Sequence, residues 1–118
     1  MFTELKIKDE TYKLRLNTRS SVALEKSLGK SPLTMLMKLD AGELPTLTDM
    51  VLILHAMLQP LNHGISLERT YDLYDAYVAD GNSLFDLIPV IIEVFQESGY
   101  LAKPGTEETV ETDVAKNV

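Results

Sequence analysis

A chain of 118 residues, 45% hydrophobic and 25% charged, reads as one domain that can bury roughly two-thirds of its unfolded surface. The absence of cysteine excludes a disulfide frame and thiolate chemistry, and no apolar run approaches the ~20 residues needed to cross a bilayer. A net charge of −7 argues against a nucleic-acid partner, whose phosphates an acidic body repels.

The opening Met-Phe-Thr-Glu-Leu-Lys lacks the profile of a signal peptide, so the expectation is a soluble protein, cytoplasmic in a bacterial setting. The charge is unevenly placed. Residues 1–30 hold seven Lys/Arg against four Asp/Glu, and residues 31–118 hold four against fourteen. A basic end on one copy could dock on an acidic face of the next. An ordinary solvated surface is the alternative.

Residues 3–16 predict a β-hairpin. Thr3, Leu5 and Ile7 alternate with Glu4, Lys6 and Lys8, and Tyr12, Leu14 and Leu16 alternate with Lys13 and Arg15, with Asp9-Glu10 at the turn. The outer edges of such a ribbon could add a strand from another chain. Five helices are expected after it, at about 19–28, 32–39, 47–59, 67–80 and 84–97. Thr18 reads as the cap of the first and Gly29 as its left-handed stop. Ser31-Pro32 opens the second, which carries Met35 and Met37.

The third helix organises the rest. Met50–Leu54 and Ala56–Leu58 cover nearly its whole circumference with hydrocarbon, as in a rod at the centre of a bundle. Thr46 and Asp49 mark its start, and Gln59-Pro60 its end. In the fourth helix, capped by Ser66, Leu67, Tyr71, Tyr74 and Val78 read as the core face, with Leu73 and Tyr77 on a second stripe turned away. The fifth is capped by Ser83 with Asp86 at the third position. Leu84, Leu87, Ile88, Ile91 and Phe95 read as its core face, while Phe85 and Ile92 point elsewhere. Pro89 leaves two options: a kinked helix, or a short turn before a helix starting near Ile88. Residues 1–101 form the expected domain, and 102–118 read as a disordered acidic tail. The expected fold class is mainly α with an N-terminal β-hairpin (α+β), a small bundle around the central apolar helix.

Chemistry-bearing patterns are sparse. His55 lies among apolar neighbours and His63 in a turn, neither with a second ligand at metal spacing, so a structural role is expected for both. Glu68, Asp72 and Asp75 form a row that reads as a solvated helix face. Asp80-Gly-Asn-Ser-Leu-Phe-Asp-Leu resembles the Asp-Ser-Leu attachment site of acyl carrier proteins, with Ser83 as the acceptor. Asn82 stands where carriers have aspartate, and a serine cap accounts for Ser83 equally. No catalytic constellation, metal site or cofactor is expected. Met35, Met37, Leu73, Tyr77, Phe85 and Ile92 read instead as hydrocarbon beyond what one small bundle buries, and hence as partner-binding residues. A well-filled core is the alternative.

The order of the pieces resembles a known family. Leu-Lys-Ile-Lys-Asp-Glu-Thr-Tyr-Lys-Leu-Arg-Leu is followed by Ala-Leu-Glu-Lys-Ser-Leu-Gly-Lys-Ser-Pro-Leu and by Pro-Thr-Leu-Thr-Asp-Met-Val-Leu-Ile-Leu-His-Ala-Met-Leu. Asn-His-Gly-Ile-Ser-Leu-Glu-Arg-Thr-Tyr-Asp-Leu-Tyr-Asp and Leu-Ile-Pro-Val-Ile-Ile-Glu-Val-Phe complete it. Over residues 4–101 this resembles the tail assembly chaperones of long-tailed phages and prophages of Gram-positive bacteria. The resemblance implies a non-catalytic factor in the host cytoplasm that coats the tape-measure protein and helps bring tail-tube subunits to it. Such proteins often have a longer, frameshifted form. Self-association through hairpin and helix faces is expected, with no nucleic acid or membrane as partner. A phage structural or connector protein, and the carrier with Ser83, are the other readings.

Overall fold

Period-two alternation in the first residues produces the hairpin. In the computed structural model, which describes residues 2–102, β1 (Thr3–Ile7) pairs antiparallel with β2 (Glu10–Leu14), Leu5 opposite Tyr12 and Ile7 opposite Glu10. The turn is Lys8-Asp9 rather than Asp9-Glu10, because Glu10 already pairs in the ladder; Lys8 adopts φ 57°. Thr3, Leu5, Ile7 and Leu14 are buried on one face, with Leu16 buried just beyond. The face carrying Glu4, Lys6, Thr11 and Lys13 is exposed.

Five helices follow: α1 (Thr18–Leu28), α2 (Pro32–Asp40), α3 (Leu47–Leu58), α4 (Leu67–Ala79) and α5 (Leu84–Ser98). The cap of α1 is Asn17, one residue before the expected Thr18. Its Oδ1 accepts the Ser20 N–H at 2.8 Å, and Ser20 Oγ accepts the Asn17 N–H at 2.9 Å. That reciprocal pair satisfies two of the four orphan donors of the first turn, and a cap at Thr18 would forgo it. Gly29 closes α1 at φ 74°, a conformation costly for any residue with a Cβ. Ser31, Thr46 and Ser66 each accept a first-turn N–H, as their positions predict.

Seven of the twelve residues of α3 are buried, and the helix packs against α1, α4, α5 and β2. It is the rod the fold is built on, with its Thr48, Leu52 and His55 side left partly open. The hairpin is tied to its end by the Arg15 N–H, which donates to the Met57 carbonyl at 2.9 Å. Asn62 Nδ2 donates to the carbonyls of Lys13 at 2.6 Å and Leu58 at 3.0 Å. Lys30 Nζ meets Asp49 Oδ2 at 2.9 Å, joining the end of α1 to the start of α3. A further tie links β1 to α5, where Thr3 Oγ1 donates to Glu93 Oε2 at 3.0 Å.

Two expectations about the later helices are corrected. On α4 the inward stripe is Thr70, Leu73 and Tyr77, whereas Tyr71 and Val78 are exposed and Tyr74 is half-buried. Thr70 can be buried because its Oγ1 donates to the Ser66 carbonyl at 3.0 Å, which leaves its methyl for the core. On α5, the helix runs unbroken from Leu84 with Pro89 inside it. Pro89 and Phe85 are both exposed, so the carbonyl that loses its helical donor is on the water side. Leu87, Ile91, Val94 and Phe95 are buried, with Leu84 and Ile88 packed at the margin. The acidic segment expected as a tail lies, from residue 103 on, outside the described residues.

Candidate partner-binding surface

Three apolar grooves lie on the helical side of the molecule. The first runs between α2 and the end of α5. Leu33, Leu36, Met37 and Leu39 form one wall, Ile92, Tyr100 and Leu101 the other, around a volume of about 500 Å³. It exists because α2 buries Met35 and so turns Met37, two positions on, toward solvent. Met37 is 72% exposed. Tyr100 is held in place by its hydroxyl, which donates to Glu25 Oε2 at 3.1 Å, and by its ring, 5.3 Å from that of Phe95. Burial, then the bond to Glu25, raises the Tyr100 pKa above its ordinary 10.0.

The second groove, about 280 Å³, lies between α3 and α4 and is lined by Leu47, Leu52, Tyr71 and Tyr74, with Asp75 at its rim. The third, about 320 Å³, lies between α1 and α3. Small residues of α1, Ser20, Ala23 and Ser27, leave room there against Leu52, His55 and Gln59. Leu52 borders both, so the two grooves make one surface along the outward side of α3.

The six expected partner-binding residues divide. Met37 and Ile92 meet in the first groove. Phe85 is 61% exposed in the first turn of α5, outside that groove. Met35, Leu73 and Tyr77, at 5%, 3% and 4% exposure, are core residues and offer nothing to a partner. The physical reason for the last two is the buried Thr70 stripe; for Met35 it is the packing of α2 on α1. The missed residues are Tyr71 and Tyr74. Their signal is a phenol on a helix flanked by a more apolar stripe, since a phenol tolerates a wet edge better than Leu does.

The titratable groups make structural contacts. His55 Nε2–H donates to the Ile65 carbonyl at 3.1 Å, and Gln59 Nε2 donates to that same carbonyl at 2.7 Å and to the His55 carbonyl at 3.1 Å. Ser83 stands at the start of α5, where its N–H and Oγ donate to Asp86 Oδ2 at 2.8 and 3.2 Å. Glu68, Asp72 and Asp75 are exposed, and among the described residues no three acidic, histidine or cysteine side chains converge to hold a metal. The Tyr77 pKa is raised, first by burial and then by the Asp86 charge and Tyr74. No helix among the described residues is long and apolar enough to cross a membrane. What this surface can do is bury hydrocarbon from another chain, in grooves that admit the side chains of an amphipathic helix.

Fold and surface together define a small α+β domain, a hairpin and five helices, one of them a central apolar rod, with apolar grooves on its helical side. A family model covers residues 3–117, and the chain belongs to that family, a family of unknown function (DUF6096). No curated protein and no solved structure matches the chain.

Proposed function

We propose that this protein is a non-catalytic tail assembly chaperone of a long-tailed phage or prophage. It binds the tape-measure protein in the host cytoplasm, associates with copies of itself and helps recruit tail-tube subunits. The observation that carries the reading is the groove between α2 and α5. Met37 stands almost free in water beside Leu33, Leu36 and Ile92, a costly arrangement unless another chain covers it. A thioether on an unbranched stem adapts to many apolar shapes, which suits a client whose binding segments differ in sequence.

The test is co-expression with overlapping segments of the tape-measure protein of the same phage or prophage, followed by co-purification and light scattering. The wild-type chain should keep at least one segment soluble and co-elute with it. Met37→Glu should abolish co-elution while leaving the thermal midpoint unchanged, since the side chain packs on nothing essential. Failure to co-elute with any segment, with client aggregation unchanged, overturns the reading.

A further inference from the structure

The hairpin is closed along one edge and open along the other. On the β2 side, the Lys13 carbonyl accepts from Asn62 and the Arg15 N–H donates to Met57. On the β1 side the Lys8 N–H, at the turn, donates to Asp80 Oδ2 at 3.2 Å, and among the described residues no such bond reaches the strand before it. The pair flanking a two-residue turn, Ile7 and Glu10, exchanges hydrogen bonds, so Thr3, Leu5 and Ile7 direct their backbone groups toward β2. The N–H and C=O of Glu4 and Lys6 therefore point outward, and among the described residues neither finds a partner.

The geometry points to β1 as a self-pairing edge: two copies of this chain join antiparallel across a two-fold axis at Leu5, giving a continuous β2-β1-β1-β2 sheet. It rests on the self-association in the reading above but on no client. In this register Glu4 of each copy stands opposite Lys6 of the other. These are the same two residues whose backbone groups point outward, so hydrogen bonding and charge pairing agree on one alignment. Within each copy Glu4 already faces Lys13, and Lys6 faces the uncharged Thr11. Across the joint each Glu4 carboxylate thus lies between two lysines, all on the exposed face. A slip of two residues, the smallest that keeps outward groups opposed, sets Glu4 against Glu4 or Lys6 against Lys6. The axis runs perpendicular to the sheet, so Thr3, Leu5 and Ile7 of both copies stay on the helix side. Charged residues on an edge strand ordinarily discourage pairing; alternating signs at adjacent outward positions make this edge complementary to itself.

Sedimentation velocity on the full chain over a wide concentration range tests this, with circular dichroism confirming that each variant folds. The wild type should dimerise. Lys6→Glu, at a position paired with the uncharged Thr11 and sharing a polar recess with Lys8 and Asp80 in its own copy, opposes carboxylates twice across the joint and should weaken the dimer about tenfold. Glu4→Lys should weaken it similarly, the double swap E4K/K6E should restore it, and the two single variants mixed should form a heterodimer more readily than either pairs alone. A monomeric wild type overturns the proposal. So does a dimer that Lys6→Glu leaves unchanged, which places the contact elsewhere and leaves self-association standing. Loss of client binding with the dimer intact counts against the chaperone reading and not against this pairing.

Discussion

Thr70 lies fully buried on α4 and leaves no polar group unsatisfied, because its hydroxyl bonds back to the Ser66 carbonyl within its own helix. That bond lets the Thr70 side of α4 face inward, with Leu73 buried beside it and Tyr71 left outside. Truncating Leu73 opens a void in a close-packed interior, and Leu73→Ala should cost about 2–5 kcal/mol. Tyr71→Ser removes a ring that is 46% exposed and should change stability by no more than about 0.5 kcal/mol. Urea denaturation of both variants checks the pair; equal effects would contradict this orientation of α4. The stripe was hidden in the sequence because threonine counts as polar, so the run 67, 71, 74, 78 outweighed 70, 73, 77. The Asn17 cap was hidden in the same way, since Asn17, Thr18 and Ser20 are all competent cap residues and only the backbone shows which pair reciprocates.

Elements with strong internal periodicity were legible. The circumferential hydrocarbon of α3 required a central position, and the alternation of the hairpin set its buried face. The grooves were not, because each is made by two helices whose separation depends on side chains far apart in the chain. Met37 and Ile92 could be singled out as surplus, but nothing local says that they meet. Pro89 is the clearest conflict between local preference and the element formed. It denies the Phe85 carbonyl its helical N–H and is tolerated because both residues lie on the outer face. Pro89→Ala restores that donor and should stabilise the protein by about 1–3 kcal/mol, less the entropy returned to the unfolded chain. A rise in the thermal midpoint checks it, and an unchanged or lower midpoint would mean that the proline serves the packing of α5.

Across the whole molecule, the two perturbed phenols set an alkaline limit. Burial raises the pKa of both Tyr77 and Tyr100 above 10.0, aided by Asp86 in one case and by the bond to Glu25 in the other. The folded chain therefore holds these protons more tightly than the unfolded chain does. Their contribution to stability is fully present below pH 10 and is lost as pH rises through the folded values. Urea midpoints should fall above about pH 10, and Tyr100→Phe should make that fall shallower. A slope the same in variant and wild type would show that Tyr100 ionises as it does in the unfolded chain.

Among these elements α2 is anchored on one side. It packs mainly on α1, sends Met35 inward and faces open space along Met37. A short rod held at one flank can tilt without disturbing the layer around α3, where opening costs the most. In the chaperone proposed above, a visiting segment is seated by a yielding rim while the centre keeps its shape, so that tolerance for differently shaped guests coexists with a single fold.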